Sequence, residues 1–375
     1  MLDLKISKGL EGIIVGETKL SYVDGKNGKL IYCGYNIEKL VGCSYEEICY
    51  LFLYGKLPNT KELNSIVYQL QLERKLPSLI IDFICKMSNN VHPMSILRSA
   101  FSMLSIIKYD FNDKSDDNIR NIGLSLISKI TSISAIIMRV KNGLDPIKPN
   151  LKLGHVANFL YMFTGKIVDD MMINTLNTAF VLHADHSFNA STFTSRVVAS
   201  SLSDLISSIT AAIGSLKGEL HGGANTAVMK SLLEINNIEN VEAWLSKILV
   251  QKKKVMGFGH RVYKVIDPRA KPLKIMSRKW GLRTNSIKWF LISEKLECLM
   301  KEKKGLNANV DFYSASTYYS MGIKPEMFTV IFATSRIIGW ISHYIEQITN
   351  NRIIRPKSNY TGVINKEFIP LQDRE

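Results

Sequence analysis

Five of the seven histidines in this 375-residue chain fall in or near polar, glycine-bearing stretches. They are His183 and His186 in "LHADHSFNAS", His221 in "KGELHGGAN", His260 in "MGFGHRVYKVIDPR" and, more loosely, His343 on a late apolar segment. His221 precedes glycines that permit tight backbone geometry, and a helix beginning near Asn225 would aim its N-terminal amides back at the imidazole. That positive end lowers a histidine's pKa and leaves a neutral ring able to donate a hydrogen bond to a developing oxyanion. His260 also follows glycine and is trailed by Arg261, Lys264 and Arg269. Such a cluster suits a carboxylate or phosphate, because guanidinium pairs bidentately with both. In "NVDFYSAS", Asp311 lies between Val310 and Phe312, where desolvation would raise its pKa above the ordinary value of about 3.9; the competing role is a helix N-cap. Arg336, inside an apolar segment, must find an anion, and Arg355 follows in "NRIIRPKSNY". Two electrophilic histidines, one carboxylate base and three arginines for anions describe enolisation next to a carbonyl, followed by attack on a bound keto acid.

Other chemistries find less support. His183 and His186 have i, i+3 spacing, but neither H-E-x-x-H nor any cysteine pair accompanies them, so no metal site is expected. Asp185, between the two, is better placed to orient an imidazole, since a carboxylate fixes the tautomer. "GFGHRV" lacks the third glycine and the strand-helix-strand setting of a dinucleotide fingerprint. No phosphate loop and no G-x-S-x-G elbow is present, and no cofactor is expected.

The elements that must carry these residues are mostly helical. Residues 11–35 alternate β-branched residues with turn signals, and Asp24-Gly25 followed by Asn27-Gly28 predicts a short hairpin. Ser44 with Glu47 three residues on is a capping box, opening a helix that ends at Gly55. Apolar spacing of three to four residues recurs over 60–85, 94–108, 119–142, 153–164, 170–182, 194–216, 226–235, 240–250, 270–280, 287–302 and 325–347. The fold class is all-α with a small N-terminal hairpin. The stretch 199–218, rich in Ala, Ser and Gly, is read as one long helix packed closely on its neighbours. The length suggests two domains sharing a cleft, joined by short hinges.

Composition sets the surroundings. With 46% hydrophobic and 22% charged residues the chain can bury a core. The net charge of +15 is scattered rather than gathered in a tail, and no nucleic-acid signature accompanies it. Five cysteines without a C-x-x-C pair point to reduced thiols and a cytoplasmic location. "MLDLKISKGLEG" has no secretory pattern, and the apolar late segment, interrupted by Arg336 and His343, is read as a buried helix rather than a membrane span.

Taken in order, "LKGELHGGAN", "MGFGHRVYKVIDPRAK" and "NVDFYSAS" resemble the signature segments of citrate synthases. The likeness spans nearly the whole chain, through "LFLYGKLP", "HPMSILR", "LHADHSFNASTFTSRVVASSLSDL" and "SRIIGWISHYIEQITNNRIIRPKSNYTG". It points to the shorter bacterial branch that also holds 2-methylcitrate synthases. The resemblance implies a large helical domain (1–220 and 319–375), a small mobile domain (221–318), and a cleft completed across a homodimer. It implies that Asp311 takes a proton from acetyl-CoA, that His221 stabilises the enolate, and that His260 polarises the oxaloacetate carbonyl. His186, Arg269, Arg336 and Arg355 would hold oxaloacetate, Arg355 reaching in from the second subunit. Arg261, Lys264, Lys253 and Lys254 would meet CoA, which is a substrate and not a cofactor. In 2-methylcitrate synthase, the alternative, propionyl-CoA replaces acetyl-CoA on the same catalytic set. Three departures stand out: Ser187 for Glu, Glu219 for Pro, and Asn307-Ala308 for Tyr-Pro. Losing two prolines is expected to loosen the loops that carry His221 and Asp311.

Overall fold

Local signals start and stop the helices of the computed structural model, which describes residues 6–87 and 90–374. The first five residues, part of the stretch examined for a secretory pattern, and the outermost ends of the expected large domain lie outside the described residues. The capping box forms as expected: Glu47 accepts the Ser44 N–H at 2.6 Å, and the helix Tyr45–Tyr54 ends on left-handed Gly55. The hairpin also forms, as β1 (Ser21–Asp24) and β2 (Lys29–Tyr32), antiparallel with Ser21 opposite Tyr32. Asp24 shapes its turn by accepting the N–H groups of Lys26 and Asn27. A short β3 (Tyr35–Asn36) completes a three-stranded sheet, and nearly all else regular is helix.

The helix Phe328–Thr349 runs through the centre, with Ile331, Ile337, Ile338, Trp340 and Ile341 fully buried. Beside it lies Asp116–Val140, long and apolar enough to cross a membrane by length and composition, but 94% of its apolar window is buried inside the protein. Gly123 permits the approach, because a Cβ there would come within 2.9 Å of Ile341 Cγ2. Gly339 does the same for the turn at Ala184-Asp185, where a Cβ would lie 2.7 Å from Asp185 Oδ1.

Three expectations are corrected. The segment 60–85 is two helices, Thr60–Leu72 and Ser78–Met87, separated at Pro77, whose preceding residue resists helical geometry. The single helix over 199–218 is instead the end of Ala190–Ser200 and the whole of Leu205–Leu216. Left-handed Leu202 (φ 63°) turns the chain, and Asp204 caps the second helix by accepting the Ser207 N–H at 2.9 Å. Its small residues still serve close packing, now between the two arms: Ser195 Oγ and Ser208 Oγ meet at 2.8 Å. The third is a helix that apolar spacing did not reveal, Val310–Ser320, although the N-cap alternative for Asp311 implied one; it is buried on nearly every side, so its sequence shows no apolar stripe. Beyond Thr349 the chain runs out along the surface, with Ile353, Tyr360, Ile364 and Phe368 exposed.

Candidate active site

Four of the predicted residues, His186, His221, His260 and Asp311, line one cleft of about 1640 Å³. His186 sits beyond the helix Asp170–His183, and its ring lies 5.2 Å from that of His260, centroid to centroid. Tyr263 joins them, its hydroxyl 3.3 Å from His186 Nε2 and its ring 4.6 Å from His260. His260 Nδ1 accepts the N–H groups of Val262 and Tyr263, each at 3.0 Å. An accepting Nδ1 places the proton of the neutral ring on Nε2. Burial, helped by the Arg269 charge, pushes the His260 pKa down to about 4. His186 is driven well below the usual range by burial and then by Arg269.

His221 is set by a residue that sequence reasoning missed. The Ser191 N–H, in the first turn of the helix Ala190–Ser200, donates to His221 Nε2 at 3.3 Å, with Ser191 Oγ 2.9 Å away. The proton of the neutral ring is therefore on Nδ1. Trp340 Nε1 donates to the same hydroxyl at 3.1 Å and ties it to the central helix. The pKa of His221 falls to about 4, by burial first and then the Arg336 charge. The helix Ala224–Ile235 does begin beside it, as expected, but desolvation rather than that helix leads the shift.

Asp311 is not the N-cap of its helix; Asn309 is, accepting the Asp311 N–H at 3.0 Å. The Asp311 carboxyl is left with Oδ1 buried and without a hydrogen-bond partner. Burial raises its pKa to about 7, against the pull of Arg269. Two backbone hydrogen bonds lock its loop to that of His260: Gly259 N–H to Asn307 O at 3.0 Å, and Asn309 N–H to Gly257 O at 2.9 Å. Asn309 Nδ2 adds a third, to Gly259 O at 3.0 Å. The bonds straddle Ala308, so this loop is held by a ladder where the resemblance has proline. The His221 turn is likewise tied, by His221 N–H to Gly218 O and Gly222 N–H to Leu216 O, each 2.9 Å.

The arginines divide. Arg269 is buried and forks onto Asp267, Nε to Oδ1 at 2.9 Å and Nη2 to Oδ2 at 2.8 Å. Burial weakens its hold on the proton, but Asp267 more than offsets that and keeps its pKa above the usual range. Asp267 Oδ2 also accepts the Val310 N–H at 3.2 Å, reaching the helix that carries Asp311. The only local signal for Asp267 was its place two residues before Arg269. Arg336 is 1% exposed, donates to the His183 carbonyl at 2.5 Å and lies over the Phe332 ring. Among the described residues no carboxylate lies within ion-pair distance of it, and burial pushes its pKa down to about 10. Arg355 sits exposed on the C-terminal tail and is not brought to the site within this chain.

Arg261, Lys253 and Lys254 line the cleft, whereas Lys264 does not; its N–H is spent on the Gly25 carbonyl. Asp185 does orient an imidazole, that of His343, whose Nε2 lies 3.4 Å from Oδ2. The same carboxylate accepts the Ser187 N–H at 2.9 Å and holds Ser187 in left-handed geometry (φ 50°) beside His186. Glu219 is exposed on the approach to His221.

The arrangement makes a proton donor of His221 Nδ1 and of His260 Nε2, and a proton acceptor of Asp311 once it is ionised. Both histidines stay neutral from about pH 5 upward, so a single acid limb is expected. The pH profile of kcat/KM should rise once, with unit slope and an apparent pKa near 7, the value to which Asp311 is lifted. A limb at or below pH 5 would remove Asp311 as the base.

The chain is similar to known proteins along almost its whole length. The family described as citrate synthase, C-terminal domain, matches residues 9–357. Citrate synthase 2 of Bacillus subtilis is 44% identical over 370 residues, covering 98% of this chain and 99% of that one. 2-Methylcitrate synthase 1 of Corynebacterium glutamicum is 38% identical over 382 residues, covering 100% of both. The citrate synthase of Thermoplasma acidophilum, solved as a ternary complex with carboxymethyl coenzyme A and oxaloacetate, superposes with a TM-score of 0.94 at 34% identity, over 99% of this chain and 100% of that one. With its helical architecture, its cleft and matches of this extent, the chain belongs to the citrate synthase family.

Proposed function

We propose that the chain condenses acetyl-CoA with oxaloacetate and hydrolyses the resulting citryl-CoA to citrate and CoA. The observation that carries this is the Asp311 carboxyl, whose Oδ1 is buried without a hydrogen-bond partner, in the same cleft as two neutral, oriented histidines. The Asp311 carboxylate takes a proton from the acetyl methyl group, and the charge that moves to the thioester oxygen accepts a hydrogen bond from His221 Nδ1. The new carbon nucleophile bonds to the keto carbon of oxaloacetate, whose oxygen takes a proton from His260 Nε2; the proton taken up by Asp311 balances that loss, and both groups are restored before the next turnover. Water then cleaves the thioester and releases the CoA thiol. Arg336, buried without an ion-pair partner among the described residues, and Arg269 supply charge for the oxaloacetate carboxylates, with His186 beside them.

Arg355, exposed on the tail, is assigned to the site of a second copy in a homodimer. Arg261, Lys253 and Lys254 at the cleft mouth are assigned to the CoA phosphates; Lys264, outside the lining, is the weakest member of that set. Closure of 221–318 onto 1–220 and 319–375 would align the reactants and exclude water. The Thermoplasma relative, solved with a CoA analogue and oxaloacetate, supports both substrates.

The test is thiol release with oxaloacetate, comparing acetyl-CoA and propionyl-CoA. Release above the hydrolysis background is expected with acetyl-CoA, and its absence with either acyl-CoA would end the proposal. Relatives named 2-methylcitrate synthase, at 38% identity, favour a second reading in which propionyl-CoA is the better substrate. One methylene is worth only about 1–3 kcal/mol, so the ratio of the two kcat/KM values decides between them.

A further inference from the structure

The N-terminal hairpin has no part in the proposed reaction, yet it touches both loops that carry the paired histidines. At the open end of the hairpin, Ser21 Oγ donates to Asp185 Oδ2 at 2.5 Å, and the Tyr32 hydroxyl donates to the Asp185 carbonyl at 2.9 Å, one residue before His186. At its turn, the Gly25 carbonyl accepts the Lys264 N–H at 2.8 Å, four residues after His260. The turn glycines lie against the backbone of 262–266.

Gly25 does not have a positive φ, so the turn does not need glycine there for its conformation. The neighbouring backbone does: a Cβ on Gly25 would fall inside the van der Waals radius of the Val262 carbonyl oxygen, 2.8 Å from its carbonyl carbon. Gly28, with φ 64°, sits under the next stretch, where a Cβ would meet Val265 Cγ2 at 2.8 Å and the Ile266 carbonyl at 3.0 Å. The backbone at 262–263 is also what holds His260, through the two N–H groups on Nδ1. The height of that backbone over the hairpin therefore sets where His260 Nε2 points.

We propose that the hairpin is a positioning element for His260, with Gly25 as the positioning residue. By bonding to the loops of both histidines, it fixes the spacing of the two rings that face the keto acid. The inference rests on the role assigned above to His260 as donor to the oxaloacetate carbonyl. Steps of this kind are steep in distance, since a misplacement of about 1 Å can cost about a hundredfold in rate.

The experiment is Gly25→Ala in the full chain, read by steady-state kinetics and by the isotope-edited infrared band of the bound keto carbonyl. A fall in kcat of about tenfold to a hundredfold is expected, with KM for acetyl-CoA changed by less than about twofold. The carbonyl band should move back toward that of free oxaloacetate, and His260→Ala supplies the fully unpolarised reference. Gly42→Ala, where a Cβ meets nothing within 4 Å, should behave as wild type. If Gly25→Ala does not fold, Gly28→Ala tests the neighbouring contact with Val265 and Ile266, with the same signs, its left-handed φ adding backbone strain that a melting temperature reads separately. Unchanged kcat and band in either folded variant overturn the hairpin's role while leaving that of His260 standing. A band that does not move in His260→Ala overturns the carbonyl role and the inference together.

Discussion

Asp311→Asn is expected to lower thiol release by at least about a hundredfold while making the protein harder to melt at pH 8. The first effect follows from removing the carboxylate proposed to accept the methyl proton. The second follows from the same burial. The folded-state pKa of about 7 lies above the unfolded value of about 3.9, so the native state holds this proton more tightly. The group's contribution is most favourable below about pH 4 and is lost as pH rises through 7, where a charge must be kept in a desolvated place. At about 1.36 kcal/mol per unit the cost approaches 4 kcal/mol, and water at the cleft wall reduces it to roughly 2 kcal/mol. Asn carries no such cost. Thermal melts of both proteins from pH 4 to pH 8 should therefore coincide at the acid end and diverge above it. Equal melting temperatures across the range would contradict the burial argument, and undiminished turnover would contradict the base.

His221→Gln is expected to lose on the order of a hundredfold to a thousandfold in kcat, the usual consequence of removing an oxyanion donor. Gln can take the hydrogen bond from Ser191 or offer one to the thioester, but its short amide cannot do both from the two sides of a ring. KM for oxaloacetate should change little, because His186, Arg269 and Arg336 are untouched. The loss should also be the same at pH 6 and pH 8, since His221 is neutral at both. A loss that grows toward acid pH would mean that the imidazolium, not the neutral ring, does the work in the wild type.

What the sequence made legible is what local rules govern. The Ser44 cap, the hairpin and most helices follow from side-chain capping and apolar spacing, and the candidate histidines were conspicuous because they gather in polar, glycine-bearing stretches. The break at Leu202 was not legible, because nothing in an exposed leucine announces a left-handed turn; the turn is held by the Leu202 N–H on the Ala199 carbonyl and by the Asp204 cap that follows. The helix Val310–Ser320 was hidden because burial on all sides erases periodicity. Asp267 and Ser191 escaped because their tasks are long-range: one pairs with Arg269 and reaches the Val310 amide, the other offers a backbone N–H to a ring thirty residues on. Burial and the Arg336 charge, which lead the His221 shift, escaped for the same reason, since both are properties of the assembled chain.

The ladder between Gly257–Gly259 and Asn307–Asn309 bears on chemical fidelity. In the reaction proposed above, it couples Asp311 and His260 into one unit of local opening, so fluctuations remove both together. A partly opened molecule is then idle rather than half competent. It does not abstract a proton from the thioester with no polarised carbonyl waiting for the carbanion, and the base is not occupied by idle proton exchange with solvent.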